Sequence, residues 1–272
     1  MIIDAHTHVF DPGLAPAAAG AGTSARLEAE MEANGVDRAL LIAMIGKDSD
    51  SNARSIQCEH ESPRRFTAFP SVDSMNSPTY HTPGAADRLE ALHELHGGIR
   101  GFAHYCRDYE WFETPEGRRF LAKAAELKHT ISIAVFAPGL EVLARVAQRF
   151  PSITFLVHHL GRLQEKNQPA PDRAALAAAI PPGNLWFKIS GFHHLAANPR
   201  GYPFPELQPV VRELYEKIGP RRLVWGSDFP IVAQFLTYRE SIDVFRDQAP
   251  YIAASDKDLI LGGNLSRLFS LA

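Results

Sequence analysis

The chain begins Met-Ile-Ile-Asp-Ala-His-Thr-His, and its first candidate chemistry is the pair His6 and His8. Residues two apart on a β-strand face the same side, so a strand here aims two imidazoles into one space. Histidine is the commonest metal ligand, and zinc accepts its ring nitrogen. A second apolar run ends in His158 and His159. Adjacent strand residues face opposite sides, so one of these two is expected to point inward and the other to pack between strand and helix. A third run leads into Ser227-Asp228-Phe229-Pro230. A carboxylate at such a strand end reads either as the N-cap of the next helix or as a catalytic group. Three histidines and one aspartate converging on one point would form a complete ligand set for a single zinc-like ion, with room for water.

Those side chains need a frame that gathers strand ends. Eight apolar, strand-like runs occur, at residues 2–6, 36–43, 66–72, 99–104, 130–136, 153–159, 185–190 and 222–226. Most are nearly continuous in apolar residues, as strands buried on both faces are. Helical spacing lies between them. Leu27 and Met31 are one turn apart in a segment that stops at Gly35. Thr114-Pro115 caps a stretch with Phe120, Leu121, Ala124 and Leu127 on one stripe. Leu140, Leu143, Ala147 and Phe150 repeat before Pro151, and Val211, Leu214, Tyr215 and Ile218 before Gly219-Pro220. This alternation predicts an α/β fold, a (β/α)8 TIM barrel, as a single domain over residues 1–272. The alternative is an open doubly wound sheet. Loops at 11–22, 74–86, 161–172 and 192–205 follow strands one, three, six and seven, on the face where barrel sites are built.

Composition narrows the function classes. The net charge is −3, so no basic footprint for nucleic acid is present. No run approaches the roughly 18 apolar residues of a membrane span, and the start lacks a signal-peptide pattern. Cys58 and Cys106 are the only cysteines, against twelve histidines. That predicts reduced thiols, a cytoplasmic protein, and any metal held by nitrogen and oxygen. Cys106, with no partner spacing for a triad, is expected to be inert.

The order Asp4-Ala5-His6-Thr7-His8, His159-Leu160-Gly161, Trp225-Gly226-Ser227-Asp228-Phe229-Pro230 resembles the amidohydrolase-2 branch of the amidohydrolase superfamily, TIM-barrel metal-dependent hydrolases. Phe150-Pro151, Lys188-Ile189-Ser190-Gly191, and Ile260-Leu261-Gly262 with Asn264, Arg267, Leu268 and Phe269 match as well, so the resemblance spans nearly the whole chain. It implies that His159, rather than His158, is the inward residue. Many members of the wider superfamily carry a carboxylated lysine on the fourth strand to bridge two metals; neither 99–104 nor 130–136 contains a lysine here. One divalent ion is therefore expected, zinc first and manganese second, and some lactonases of this branch use none.

On this resemblance His6, His8, His159 and Asp228 are the metal ligands. Asp228 is the base for attacking water, and His159 a ligand or a polariser of the carbonyl. Asp4, placed by strand alternation on the face of His6 and His8, is expected to orient them or to pair with a cation in the barrel. His104, Lys188, Ser190 and one of His193 and His194 are candidate substrate contacts. Arg100 and Arg107 are candidate anion partners, and Tyr80, Tyr105 and Trp111 a candidate apolar wall. The expected reaction is hydrolysis of a lactone, or of a related carboxylic ester or C–C bond, in a small organic or sugar acid. The alternative is non-oxidative decarboxylation of an aromatic or unsaturated acid, and a lesser one a non-catalytic barrel that binds a small molecule. The partner is a small-molecule substrate; no nucleic acid or membrane is expected, and a homodimer is common for barrels of this size.

Overall fold

A computed structural model describes residues 1–10, 22–44, 51–164 and 172–271. The expected loop at 11–22 lies outside these residues except for Gly22, and that at 161–172 is described only at its ends. Among the described residues eight parallel strands form the frame: β1 (Ile3–Thr7), β2 (Arg38–Ile42), β3 (Phe66–Phe69), β4 (Gly101–Tyr105), β5 (Thr130–Ala134), β6 (Phe155–Val157), β7 (Leu185–Ile189) and β8 (Leu223–Trp225). They make two arcs, β1-β2-β3 and β4-β5-β6-β7-β8.

Single parallel bridges join the arcs at both seams, Thr7 to Phe229 and Ser71 to Ala103. At one seam the Asp228 amide donates to the His6 carbonyl at 2.8 Å and the His8 amide to the Phe229 carbonyl at 2.7 Å. At the other, Ala103 donates to Pro70 at 2.9 Å and Val72 to Ala103 at 3.1 Å. The strands thus run round as a barrel, and an open doubly wound sheet does not describe them.

Helices occupy the crossovers. α1 (Ser24–Asn34) starts at Thr23, whose hydroxyl accepts the Arg26 amide, and ends at Gly35 with φ 68°. α2 (Asn52–Glu61), α3 (Ala85–Leu95), α4 (Pro115–Glu126), α5 (Ala137–Arg149) and α6 (Arg173–Ala179) follow. The Thr114 cap of α4 accepts the Gly117 amide, as its Thr-Pro signature predicts. α7 (Phe192–Leu195), α8 (Gln208–Ile218), α9 (Tyr238–Arg246), α10 (Ala254–Asp258) and α11 (Asn264–Phe269) complete the set. Among the described residues no helix is long and apolar enough to cross a membrane.

Strand alternation divides the core into two. Ile3, Ala5, Leu40, Ile42, Phe69, Ala103, Leu156 and Val224 pack together inside the ring, with Leu265 and Phe269 of α11 plugging its lower end. Their neighbours in sequence, among them Leu41, Phe102, Phe155, Val157 and Trp225, face the helices. Burying one such side chain contributes about 1.5–3 kcal/mol. Inside the ring the apolar floor gives way to polar groups at the C-terminal end, and that change of character locates the site.

Candidate active site

β1 does not keep strict alternation. Its register against β2 runs Ile3–Arg38, Asp4–Ala39, Thr7–Leu41, so three steps on β1 match two on β2. The extra residue is a β-bulge, a device common beside active sites because it re-aims side chains. Asp4 turns to α9, where the Tyr238 hydroxyl donates to its Oδ2 at 2.7 Å, while Oδ1 accepts the backbone amides of His6 and Ser227 at 3.0 and 2.9 Å. Asp4 therefore does not share a face with His6 and His8, and it touches neither imidazole through these bonds. It ties the backbone of β1 to the loop after β8, from which His6 and Asp228 project. Burial raises its carboxyl to about 6, against the hydrogen bonds from Ser227, His6 and Tyr238.

Asp228 sits just past β8 with φ 67°, a left-handed conformation that aspartate tolerates better than most residues. Four imidazole nitrogens surround its carboxylate. The Nε2 atoms of His6 and His8 lie 3.4 and 3.3 Å from Oδ1, and those of His193 and His194 lie 3.1 and 2.8 Å from Oδ2. Burial alone would raise this carboxyl, but the imidazoles of His159, His193 and His194 outweigh it and hold Asp228 well below the usual carboxylate range. Both residues of the His193-His194 pair face Asp228, because α7 is a single short turn opened by Gly191 at φ 69°.

His158 also departs from expectation. β6 ends at Val157, and His159, Leu160, Gly161 and Arg162 all have positive φ. This tight turn breaks alternation, so both imidazoles reach the interior; His158 does not pack between strand and helix. The His158 ring lies edge-on to His6 at 4.4 Å, and its Nε2 is 2.7 Å from Ser132 Oγ on β5. His159 Nδ1 is 3.1 Å from Ser190 Oγ, and its ring lies 5.1 Å from that of His194. Burial drives His6, His158 and His159 well below the ordinary histidine range, so they stand as neutral rings.

Lys188 is fully buried within this group. Its Nζ lies 3.0 Å from His6 Nδ1 and 2.7 Å from Ser132 Oγ. Burial pushes the ammonium well below its usual value, against the pull of Asp4 and Asp228. A neutral amine can accept the Nδ1 proton of His6 while donating to Ser132. Replacing Lys188 with Met should leave the melting temperature unchanged or higher, since no buried amine then needs partners. The same change frees the His6 ring and should lower metal affinity or turnover about 10- to 100-fold. A variant that melts lower yet turns over normally would show that Lys188 serves the core and not His6.

The donor set fits a divalent cation. His8 Nδ1 lies 2.6 Å from the Ile42 carbonyl and donates its N–H there, which turns Nε2 toward Asp228. A cation between His8 Nε2 and the Asp228 carboxylate would be held by a nitrogen lone pair on one side and an oxygen on the other. Among the described residues, buried Asp228 Oδ2 and His193 Nε2 make no well-aligned hydrogen bond despite their approach. Two zinc bonds at a tetrahedral angle span about 3.3 Å, close to the His6 and His8 separations from Oδ1. His6, His8 and Asp228 form one such ligand group, and His159, His194 and Asp228 another sharing the same carboxylate.

Beside the ring lies a cavity of about 150 Å³, lined by Met75, Tyr105, Cys106, Phe136, His158, His159, Arg162 and His194. The buried Tyr105 hydroxyl has no hydrogen-bond partner among the described residues, and the Arg162 guanidinium stands 4.6 Å over the Phe136 ring. Strand alternation points Tyr105 inward with Ala103; Arg162 arrives through the left-handed turn, which no sequence pattern announces. His104 has the opposite parity, beside Phe102, so it faces the helix layer, fully buried. Its Nδ1 donates to Val72, and it does not line the cavity. Arg100 is at the opposite end, bonded to the Phe269 carbonyl at 2.8 Å.

The comparisons agree with this architecture. A protein from Acinetobacter baumannii described as a probable 2-pyrone-4,6-dicarboxylic acid hydrolase, with citric acid bound, superposes with a TM-score of 0.79 at 21% identity, over 99% of each chain. An amidohydrolase from Burkholderia multivorans with bound zinc gives 0.79 at 19% identity over 100% of each. The 5-carboxyvanillate decarboxylase of Sphingomonas paucimobilis gives 0.66 at 16%, over 100% of this chain and 99% of that one. At these identities the likeness speaks for the fold. No curated protein matches the sequence. The sequence model of the Amidohydrolase family (Amidohydro_2) matches residues 3–271, and on that near-complete match the chain belongs to this amidohydrolase family.

Proposed function

We propose that the chain is a divalent-metal-dependent hydrolase that opens a lactone, or cleaves a related carboxylic ester or C–C bond, in a small organic or sugar acid. The observation that carries this reading is the ionised, buried Asp228 carboxylate ringed by imidazole nitrogens at the barrel mouth. His6, His8, His159 and Asp228 would hold the ion, with His193 and His194 at the other side of the carboxylate. When bound, the ion supplies Lewis acidity at the substrate carbonyl and eases deprotonation of water.

The residues do the rest. Water adds to the acyl carbon as Asp228 takes its proton; the ring C–O bond breaks, and the proton passes to the leaving alkoxide, giving the open hydroxy acid. His159, neutral and tied to Ser190 through Nδ1, faces the cavity; if the ion is held by His6, His8 and Asp228 without it, its Nε2–H donates toward the carbonyl oxygen instead. The Arg162 guanidinium at the rim suits a carboxylate on the substrate. A volume of about 150 Å³ suits a small acid. The likeness to the pyrone dicarboxylate hydrolase makes unsaturated lactone acids the first substrates to try.

The test is a panel of lactone acids followed by proton release and by carbon dioxide detection. Acid release without carbon dioxide supports the proposal; carbon dioxide from an aromatic or unsaturated acid, without ring opening, assigns the chain to the decarboxylases. In the same assay, exhaustive chelation should reduce turnover at least 100-fold, with zinc or manganese restoring it and the His6→Ala/His8→Ala variant failing to recover. Full turnover by a metal-free chain would leave Asp228 and the histidines as the whole machinery.

A further inference from the structure

We propose that His81, His104 and Cys106 form a second metal site, specific for a zinc-class ion, set between the barrel wall and the helical layer. It shares no residue with the ring around Asp228 and does not depend on the function proposed for that ring. One ring nitrogen of each histidine and the Cys106 sulfur lie within 4.8 Å of one another. The three side chains come from two places: the end of β4, and the segment that leads from β3 to α3.

The orientation of each donor is fixed. His104 Nδ1 lies 2.9 Å from the Val72 carbonyl, which takes its proton and leaves Nε2 as a lone pair. That atom faces His81 Nε2 at 3.4 Å. The separation is long for a nitrogen hydrogen bond but close to the roughly 3.3 Å edge of a tetrahedral zinc site. The His81 ring is clamped between Tyr80, at 3.8 Å and 27°, and Trp111, at 3.9 Å and 4°.

His81 Nδ1 is buried and has no hydrogen-bond partner among the described residues. A hydrogen bond from His81 to His104 leaves that atom as an unsatisfied lone pair. With a metal on Nε2, Nδ1 carries the proton instead and lies 3.9 Å from the Asp108 carboxylate, the usual outer partner of a ligating histidine. The Tyr80 hydroxyl donates to the Cys106 sulfur at 3.6 Å, and Cys106, which burial holds as a thiol, donates in turn to the Asp108 carbonyl at 3.3 Å, a bond the metal would replace. Binding forms the sulfur–metal bond and releases the thiol proton to solvent, with no change in oxidation state. Sulfur and imidazole donors together select zinc over magnesium or calcium. The ion would fasten the segment carrying His81 to β4. Because Tyr105 and Cys106 line the mouth cavity, it would hold one wall of that cavity in place.

Cobalt(II) titration of the full chain under reducing conditions tests this. A thiolate ligand gives an intense near-ultraviolet charge-transfer band, and the Asp228 ring contains no sulfur, so the band reports the second site alone. The native chain should show the band, saturating at one cobalt per chain and abolished by one equivalent of zinc. Asp228→Asn should keep it. Cys106→Ser should lose it together with one metal equivalent, and His81→Ala should weaken cobalt binding at that band at least 100-fold. A native chain without the band, or a band that survives in Cys106→Ser, overturns the proposal. Loss of metal from the Asp228 ring with the band retained would instead count against the catalytic centre alone.

Discussion

Asp228→Asn is expected to lower kcat by a factor on the order of 10³, the range in which a positioned general base operates, while the fold and far-ultraviolet dichroism stay native. The amide keeps the size of the carboxylate, but it cannot take a proton from water. It also presents an NH₂ donor to part of a ring of imidazole nitrogens that now meets two acceptor oxygens. The backbone is independent of that exchange, because the Asp228 amide donates to His6 and the Val232 amide donates to the Asp228 carbonyl. Steady-state kinetics on the substrate found in the lactone panel, with elemental analysis of the same preparation, separate two losses. Retained metal with lost turnover marks Asp228 as the base. Metal and turnover lost together mark it first as a ligand. Unchanged turnover would remove Asp228 from the chemistry, and with it the proposed function.

The frame was legible because it rests on period and burial. Six of the eight strands fall within the apolar runs read from the sequence, β1 and β4 run one residue past theirs, and α1 ends at Gly35 as its periodicity predicts. The convergence of His6, His8 and Asp228 with one of His158 and His159 followed from their places at strand ends, and the choice of His159 from the family resemblance. What escaped was anything that breaks alternation. The bulge in β1 separates Asp4 from His6, although they are two residues apart. The left-handed turn at 159–162 brings in both histidines and Arg162. His104 follows strict parity on β4 and therefore faces away from the mouth, so strand-end position alone misplaced it. Ser132 and His81 carried no local signal. The first matters only because Lys188 and His158 stand opposite it, and the second only because the chain returns to β4 from an irregular segment.

Gly191 offers the sharpest test of how tightly the scaffold sets the ring. It has φ 69°, and a Cβ there would overlap the Nδ1, Cγ and Cβ atoms of His159. Gly191→Ala therefore carries two costs. The left-handed backbone costs about 1–2 kcal/mol for a residue with a side chain, and the imidazole must move off Ser190. A displacement of about 1 Å in a reacting group is enough to lose on the order of 100-fold in turnover. Gly35 supplies the control, since it has φ 68° at the end of α1 with nothing within 4 Å of its would-be Cβ. Gly35→Ala should lower the melting temperature through the backbone term alone and leave kcat unchanged. Gly191→Ala should lower the melting temperature further and cost about 100-fold in kcat. Equal melting temperatures and equal kcat in the two variants would mean that the His159 ring has room to shift without consequence, which would remove it from both carbonyl polarisation and metal binding.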